Sequence, residues 1–358
     1  MKFGPHPLDQ AEGHILGHNI AGPDGRRLLR KGKPLSREDV EALRRLGRTA
    51  VYVAELEPGD VDEDAAARRI ATAALGGPPS PLPTSGVAAQ SLRLSGSASG
   101  RVNFLATHLG VLRVDADRLA RINTCQGITF ATLTSHSAVR PRQIVATVKV
   151  IPYAVPDAVV RAAEAIASES GPLIRVDALE PSLVSLVFSG SLSIRDKLAA
   201  DFAPLRHRVE ALGSTILSTD YVSLEDETGE AALADALSRR RAAGARLIVV
   251  AGETAIMDRH DIVPRAVERA GGWVECLGAP VDPGNLLMLA YLGDTPILGA
   301  PGCARSRKVN VVDWVLPRLL AGDRLARADI LALGHGGLLE EAPERPVPRE
   351  TVEADQRE

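Results

Sequence analysis

The chain has 358 residues and a formal net charge of −3, with 42 basic and 45 acidic residues. This near balance argues against general nucleic-acid binding, and so does the aromatic content of only 3%, because bases stack on aromatic rings. Hydrophobic residues at 45% and charged residues at 24% are typical of globular proteins, which excludes a wholly disordered, fibrous or disulfide-rich chain. The length predicts two or three domains.

The three cysteines, Cys125, Cys276 and Cys303, are far apart and form no CxxC pair. Their odd number and spacing argue against a disulfide framework and a zinc site built from cysteine pairs, and predict a reduced, cytoplasmic location. Residues 1–20 contain no apolar core of a signal peptide, and no long apolar window predicts a membrane span. We therefore expect neither nucleic acid nor a membrane as a partner.

Residues 1–76 predict a small α+β accessory module. Ser36 and Asp39 have the spacing of a helix capping box, and Gly47 fits the end of that helix. Residues 77–91 follow as a linker, since proline, glycine and serine are too dense there to build a core element.

Residues 92–181 predict a β-rich middle domain, because short β-branched runs alternate with turn signals. Residues 182–325 change character: buried strands alternate with helical periodicity, which predicts an α/β domain, and Pro204 must interrupt or restart its first helix. Residues 340–358 are rich in Glu, Pro and Arg and predict a disordered tail.

Three loops of the predicted α/β domain follow buried strands: Ser189–Ser191, Gly252–Asp261 and Ala300–Ser306. Parallel strands bring such loops to one edge, where backbone N–H groups and helix N-termini favour an anion. Asp258 or Asp261 could hold a metal or accept hydrogen bonds from a polar heterocycle. Similar turns occur in many α/β domains that bind nothing there. The chain has neither GxGxxG nor GxxxxGK[ST], so dinucleotide and P-loop nucleotide folds are poorly supported.

The stretch from Ser182 to Gly322 resembles the molybdopterin-binding domain of molybdenum-cofactor biosynthesis proteins. Its strongest matching segments are GETAIMDRHDIVP at 252–264, APVDPGNLLMLAYL at 279–292 and LGAPGCARSRKVNVVDWVLPRLL at 298–320. The nearest branch is the bacterial molybdopterin-binding proteins that are sometimes fused to a cytidylyltransferase-type domain. Transfer to a nucleotide is therefore expected to need a partner nucleotidyltransferase.

The resemblance implies a three-layer α/β domain with a pocket for the pterin and its phosphate. It implies that Asp258 and Asp261 are the catalytic residues and hold Mg²⁺ or the pterin, and that Gly302 and Ser306 hold the phosphate. The cofactor-binding positions carried over from the family motifs are Ser189, Gly190, Gly252, Glu253, Thr254, Ala255, Pro283, Gly284, Pro301, Gly302 and Ser306.

Two departures from the family pattern bear on catalysis. Relatives that adenylylate molybdopterin or insert molybdate usually carry an acidic residue in the first loop, and here that loop is Ser189-Gly190-Ser191-Leu192. They also carry two glycines in the second loop, where this chain has Glu253. Whether the chain is an enzyme stays open; a catalytic chain would be a transferase of the molybdopterin molybdotransferase or adenylyltransferase type.

Three hypotheses follow. The leading one is a homo-oligomeric molybdopterin-binding protein of cofactor biosynthesis or delivery that assists molybdate or nucleotidyl transfer. The second is a non-catalytic carrier that hands the cofactor to a molybdenum-enzyme maturation partner, which the missing first-loop carboxylate favours. The third is an unrelated α/β binding protein with a degenerate pocket.

Several histidines and cysteines are better explained without a ligand. His14 and His18 have the i,i+4 spacing of helical metal ligands, but the glycines beside them argue against a helix, so we expect solvated or turn histidines. Cys303 is expected to be a small buried filler. His260 lies within the second loop, where a place beside the pocket and a purely structural role are equally supported.

Overall fold

The computed structural model describes residues 1–76, 91–224 and 228–339. The chain is mixed α/β, as predicted, and divides into two compact units, Met1–Ala178 and Leu179–Glu358. The predicted linker, apart from residue 91, and the predicted tail lie outside the described residues. The finer division of the first unit into a module and a β-rich domain stays a prediction. Among the described residues, no helix combines the length and apolar character needed to cross a bilayer.

The described residues of the first unit form short strands with four α-helices among them. The strands are β1 Lys2–Pro7, β2 Ile15–Leu16, β3 Ile20–Ala21, β4 Arg27–Leu29, β5 Ala50–Glu55, β6 Asp60–Asp62, β7 Leu92–Leu94, β8 Arg101–Ala106, β9 Gly110–Val114, β10 Ile128–Thr132, β11 Ala138–Val139, β12 Ile144–Val150, β13 Ala154–Pro156 and β14 Ile174–Ala178. The helices are α1 Arg37–Arg45, α2 Glu63–Ala74, α3 Ala116–Ile122 and α4 Asp157–Ser168. The largest sheet of this unit has the order β10-β12-β8-β7.

The predicted capping box starts α1. The backbone N–H of Asp39 donates to Ser36 Oγ at 3.3 Å, and Asp39 Oδ2 accepts from the Ser36 N–H at 2.9 Å. Helix α2 has a different role, because its alanine-rich face is fully buried among β8, β12 and α4. Phe104 and Phe130 stack at 5.2 Å between ring centroids in the same core. Small side chains on α2 let that helix lie close to the sheet.

The second unit contains the strands β15 Leu183–Gly190, β16 Thr215–Ser223, β17 Leu247–Gly252, β18 Trp273–Leu277, β19 Met288–Leu292 and β20 Thr295–Gly299. Its helices are α5 Arg195–Asp201, α6 Ala203–Ala211, α7 Gly229–Ala242, α8 Ile262–Arg269, α9 Val311–Leu320 and α10 Arg327–Leu331. Pro204 lies in the first turn of α6, and its missing N–H explains why the predicted long helix is divided there.

One six-stranded sheet organises this unit, in the order β16-β15-β17-β20-β19-β18. Strands β16, β15, β17 and β20 are parallel, whereas β19 pairs antiparallel with both β20 and β18. The turn Gly293-Asp294 joins β19 to β20 as a tight hairpin, a two-residue connection that glycine favours. The carboxyl ends of β15, β17 and β20 therefore lie side by side.

Helices α7 and α8 pack their apolar side chains against one face of this sheet. The strand residues on that face include Val187, Ile248 and Val250. Phe188, the next residue along β15, stacks at 5.5 Å on Phe202 between α5 and α6. Successive side chains of a strand point to opposite faces, so both faces of β15 are packed. The three-layer arrangement of the whole domain stays a prediction.

Candidate functional site

The three loops singled out in the sequence lie at one edge of the sheet. Ser189 of β15 pairs in register with Gly252 of β17, and Val250 pairs with Gly299 of β20. Each loop begins at the carboxyl end of its strand. As expected, the parallel pairing of these strands brings the three loops together. We refer to the segments 189–192, 252–261 and 300–306 as the first, second and third loops.

Glu253 connects the second loop to the first. Its Oε2 accepts hydrogen bonds from the backbone N–H and the hydroxyl of Ser191, both at 2.8 Å. The Tyr221 hydroxyl donates to the Ser191 carbonyl from the neighbouring strand β16. These N–H and O–H donors hold the pKa of the Glu253 carboxyl below its usual value. The first loop thus lacks an acidic residue of its own but receives a carboxylate from the second loop.

Arg305 connects the third loop to the second. Its Nη2 donates to the Gly252 carbonyl at 2.8 Å, and its guanidinium lies 4.8 Å from the centre of the Phe202 ring. An arginine in such a loop is a candidate cation for a phosphate. In the structure its charge instead supports the loop framework, through a backbone carbonyl and an aromatic face.

Arg208 of α6 holds the end of the third loop in place. Its guanidinium donates to the Ser306 carbonyl at 2.8 Å and to the Lys308 carbonyl at 2.9 Å. It also pairs with Asp313 at 2.8 Å, and Asp313 in turn accepts from the Asn310 N–H at 2.9 Å. The role of Arg208 could not be predicted from the sequence, because its position on a helix does not indicate which distant carbonyl groups its guanidinium contacts.

Asn310 starts α9 and closes the third loop. It is fully buried; its Oδ1 accepts from the Val312 N–H at 3.0 Å, and its Nδ2 donates to the Cys303 carbonyl at 3.2 Å. Asn310 and Asp313 have the same three-residue spacing as the Ser36 capping box, so the signal was present in the sequence. Cys303, expected to be a buried filler, is only partly buried, and that burial raises the pKa of its thiol.

Asp258 and Asp261 bond within their own loop. Asp261 Oδ2 accepts from the N–H groups of Met257 and Asp258, at 2.6 and 2.9 Å. Asp258 Oδ1 accepts from the His260 N–H at 2.8 Å and lies 2.6 Å from its Nδ1, and these contacts lower the pKa of the Asp258 carboxyl. Within the described residues, no group of three or more His, Cys, Asp and Glu side chains is placed to hold a metal ion. A magnesium role for the two aspartates stays a prediction.

The predicted cofactor-binding residues differ in their accessibility. Ser189 is only 1% exposed, so its hydroxyl points into the protein rather than toward solvent. The other buried members of the set are Gly190, Gly284 and Pro301. The members that reach the surface, wholly or in part, are Gly252, Glu253, Thr254, Ala255, Pro283, Gly302 and Ser306, together with Asp258 and Asp261. We infer that the buried members shape the loops and that the surface members are available to a ligand.

Two buried glycines among these residues are places of close approach. A Cβ atom on Gly190 would lie 2.9 Å from the Glu253 Cβ, so glycine permits the contact between the first two loops. Gly284 has φ +136° and lies against Val311 at the start of α9. At both positions, glycine is needed so that two segments of the protein can pack closely against each other.

Exposed cations and exposed carboxylates lie together at this edge of the sheet. Arg195 and Lys197 lie on α5 after the first loop, and Arg307 and Lys308 follow the third loop; all four are exposed. Because an exposed hydroxyl, Thr254, lies in the second loop, the edge presents donors and cations to solvent together. The carboxylates of Glu253 and Asp258 are exposed at the same edge, so the surface offers both donors and acceptors to a polar ligand.

A cavity of about 310 Å³ in the same unit lies elsewhere, lined by residues that include Ser182, Arg246 and Thr295. These residues precede or begin β15, β17 and β20, so the cavity is at the amino-terminal edge of the sheet. It is distinct from the three loops and takes no part in the site described above.

We expect the contact between the first two loops to depend on pH. Because the folded pKa of Glu253 is lowered, its bonds to Ser191 are fully present above the usual value of 4.5 and are lost as pH falls through the lower, folded value. The measurement is hydrogen exchange of the Ser191 amide against pH, corrected for intrinsic exchange. The Glu253→Gln variant should show no acid step; an identical step in this variant would contradict the assignment.

A family model described as a domain of unknown function, DUF8806, matches residues 5–55, far less than half of the chain. No curated protein matches the chain.

Two solved structures from molybdenum-cofactor biosynthesis are similar to it. One is the molybdopterin biosynthesis MoeA protein from Pyrococcus horikosii, with 12% identity, a TM-score of 0.28, and coverage of 90% of this chain and 75% of that one. The other is a molybdenum cofactor biosynthesis protein from Pyrococcus furiosus, with 10% identity, a TM-score of 0.23, and coverage of 92% and 65%. Both TM-scores are below 0.5, so neither likeness establishes a fold or a function for this chain.

Proposed function

We propose that the second unit binds molybdopterin at the edge formed by the three loops and acts in the biosynthesis or delivery of the molybdenum cofactor. The observation that carries this proposal is the meeting of the three loops at one sheet edge, joined by the Glu253–Ser191 and Arg305–Gly252 hydrogen bonds; the second and third loops belong to the family-like segments 252–264 and 298–320. Motifs that are distant in sequence but adjacent in space are expected of a single binding site.

The exposed groups of this edge suit a phosphorylated pterin. Gly302 and Ser306 would contact the phosphate, with Arg307 and Lys308 supplying charge, because phosphate oxygens accept hydrogen bonds and are anionic. Asp258 and Thr254, both exposed, would accept the ring N–H groups of the pterin. When bound, molybdopterin supplies the dithiolene sulfurs that carry the metal. The chain's own residues would bind and orient it.

A specific observation favours the carrier as the second candidate function. The carboxylates of Glu253, Asp258 and Asp261 each accept hydrogen bonds from backbone N–H groups of the loops. Carboxylates used in this way order the loops and are less available to a catalytic magnesium ion. A protein that holds the cofactor without transferring a group requires only this ordered surface.

Native mass spectrometry tests the proposal. The full chain is purified gently from a host that makes molybdopterin, and a bound pterin is identified by its mass and by fluorescence after oxidation. A stoichiometric pterin supports the proposal. An empty protein that also fails to bind added molybdopterin overturns it. Turnover of ATP or molybdate by the loaded protein would assign a transferase, and stable binding without turnover would assign a carrier.

The Asp258→Ala variant tests the location of the site. Asp258 is 66% exposed in its side chain and contacts only its own loop, so the variant should fold and bind molybdopterin about tenfold less tightly. The matched control is Asp235→Ala, an exposed aspartate on α7 away from the loops, which should bind as the native chain does. Equal affinities in the two variants would refute the assignment to the second loop.

A further inference from the structure

The first unit contains a cavity of about 1030 Å³ that is independent of the three loops. Its wall includes Phe3 and His18 from the front of the chain and Tyr153 and Val155 from the region of β13. Ligand pockets in proteins have volumes of about 300–1,000 Å³, so this cavity is large enough for a molecule the size of a nucleotide.

Two aromatic side chains line this cavity. The chain holds only five Phe, four Tyr and two Trp residues, yet Phe3 and Tyr153 both line it. Phe3 remains 48% exposed and lies 5.7 Å from the His18 ring and 6.5 Å from the Tyr153 ring, measured between centroids. The Tyr153 hydroxyl donates to the Gly17 carbonyl at 2.9 Å and fixes that ring in the wall. An exposed ring beside a fixed one offers a surface on which a planar ligand can stack.

Three cationic side chains line the same cavity: Arg30, Lys31 and Lys149. Lys149 is 3.2 Å from the Glu63 carboxylate, which neutralises it. Arg30 and Lys31 are exposed, and among the described residues neither has an ion-pair partner. The cavity therefore has a surplus of positive charge beside its aromatic wall, which favours an anion.

The segment matched by the family of unknown function supplies the cationic side of this wall. Arg30, Lys31 and His18 all fall within residues 5–55, whereas Tyr153 comes from the later part of the unit. Gly32 has φ +82°, and a Cβ atom there would lie 3.4 Å from the Tyr153 ring, so glycine keeps the turn close to that ring. The two parts of the unit form the cavity together.

We propose that this cavity binds a small planar aromatic or heteroaromatic molecule that carries a carboxylate or a phosphate. Phe3 and Tyr153 contact the ring, and Arg30 and Lys31 pair with the anionic group. All residues of this site belong to the first unit and none belongs to the three loops, so either proposal can fail without the other.

Equilibrium dialysis of the full chain tests the proposal with matched probes. AMP and adenosine form the phosphate pair, and 6-carboxypterin and pterin form the carboxylate pair. We expect at least one anionic probe to bind at about millimolar concentration or tighter, and its uncharged counterpart to bind at least tenfold more weakly. The pair that shows this difference identifies the anionic group. Failure of both anionic probes to bind, or equal binding of each probe and its counterpart, overturns the proposal.

Variants place the bound probe in the cavity. Arg30→Glu combined with Lys31→Glu should reduce binding of the anionic probe at least tenfold. Arg27→Glu is the control, since Arg27 is also exposed on the same stretch of chain but does not line the cavity. Phe3→Ala should weaken the charged and uncharged probes alike, and circular dichroism confirms folding. A probe that binds the double variant as tightly as the Arg27→Glu control lies outside the cavity, which refutes the assignment.

Discussion

The Gly284→Ala substitution should destabilise the second unit by about 3 kcal/mol or more, because it combines backbone strain with overpacking. Gly284 has φ +136°, a conformation that alanine rarely adopts. The added Cβ would overlap the Val311 side chain and lie 3.1 Å from its backbone nitrogen. Neither atom can move easily, since Val311 is buried in the first turn of α9 and its N–H donates to the Pro283 carbonyl.

Urea unfolding followed by tryptophan fluorescence measures this effect. Both tryptophans, Trp273 and Trp314, lie in the second unit, so the signal reports that unit alone. The control is Gly302→Ala, another predicted site glycine, where an added Cβ meets nothing within 4 Å. We expect its stability to change by about 0.5 kcal/mol or less. Equal urea midpoints for the two variants would contradict the prediction and show that Val311 moves to accommodate the added methyl group.

The Arg208→Met substitution should destabilise the same unit by about 3 kcal/mol, since it removes the guanidinium that bonds to the Ser306 and Lys308 carbonyls and pairs with Asp313. Arg208 is 10% exposed in its side chain and bridges α6, the third loop and Asp313. Methionine keeps the apolar stem but removes every donor. Hydrogen exchange should therefore increase in the third loop and in the first turn of α9, even under conditions in which the unit stays folded.

Two further variants separate charge from geometry at this position. Arg208→Lys keeps the charge but cannot reproduce the planar fork, so its stability should fall between those of the native chain and Arg208→Met. Arg206→Met changes an arginine on the same helix that bonds only to Thr219 among the described residues, at 2.9 Å, and should have a small effect. A large loss in Arg206→Met, matching that of Arg208→Met, would show that α6 needs positive charge in general rather than this set of bonds.

Local sequence signals predicted the elements well. The Ser36 capping box, the interruption at Pro204 and the alternation of buried strands with helices in residues 182–325 each depend on neighbouring residues, and each is present in the structure. The meeting of the three loops was also predictable, since it follows from parallel pairing of the strands that precede them.

Contacts between distant residues were not predictable from one sequence. The bond from Glu253 to Ser191 depends on the exact register of β15 and β17, and the reach of Arg208 depends on how α6 packs beside the third loop. The burial of Ser189 could not be predicted from the sequence either, because a serine at the end of a strand can point to the buried or to the exposed side of the sheet. Helix α2 shows the same limit: its amphipathic pattern does not say which sheet it covers.

The strand order also leaves β16 and β18 at the two margins of the six-stranded sheet. A free margin can recruit a strand from another chain, which leads to aggregation. On β16, Asp220 pairs with Arg240 at 2.6 Å, and on β18, Trp273 stacks on Tyr291 with Arg324 5.3 Å from its ring centre. The charged pair and the aromatic stack lie on the faces of the sheet beside its two outer strands, and charge and bulk beside an edge strand make pairing with a strand of another chain less favourable.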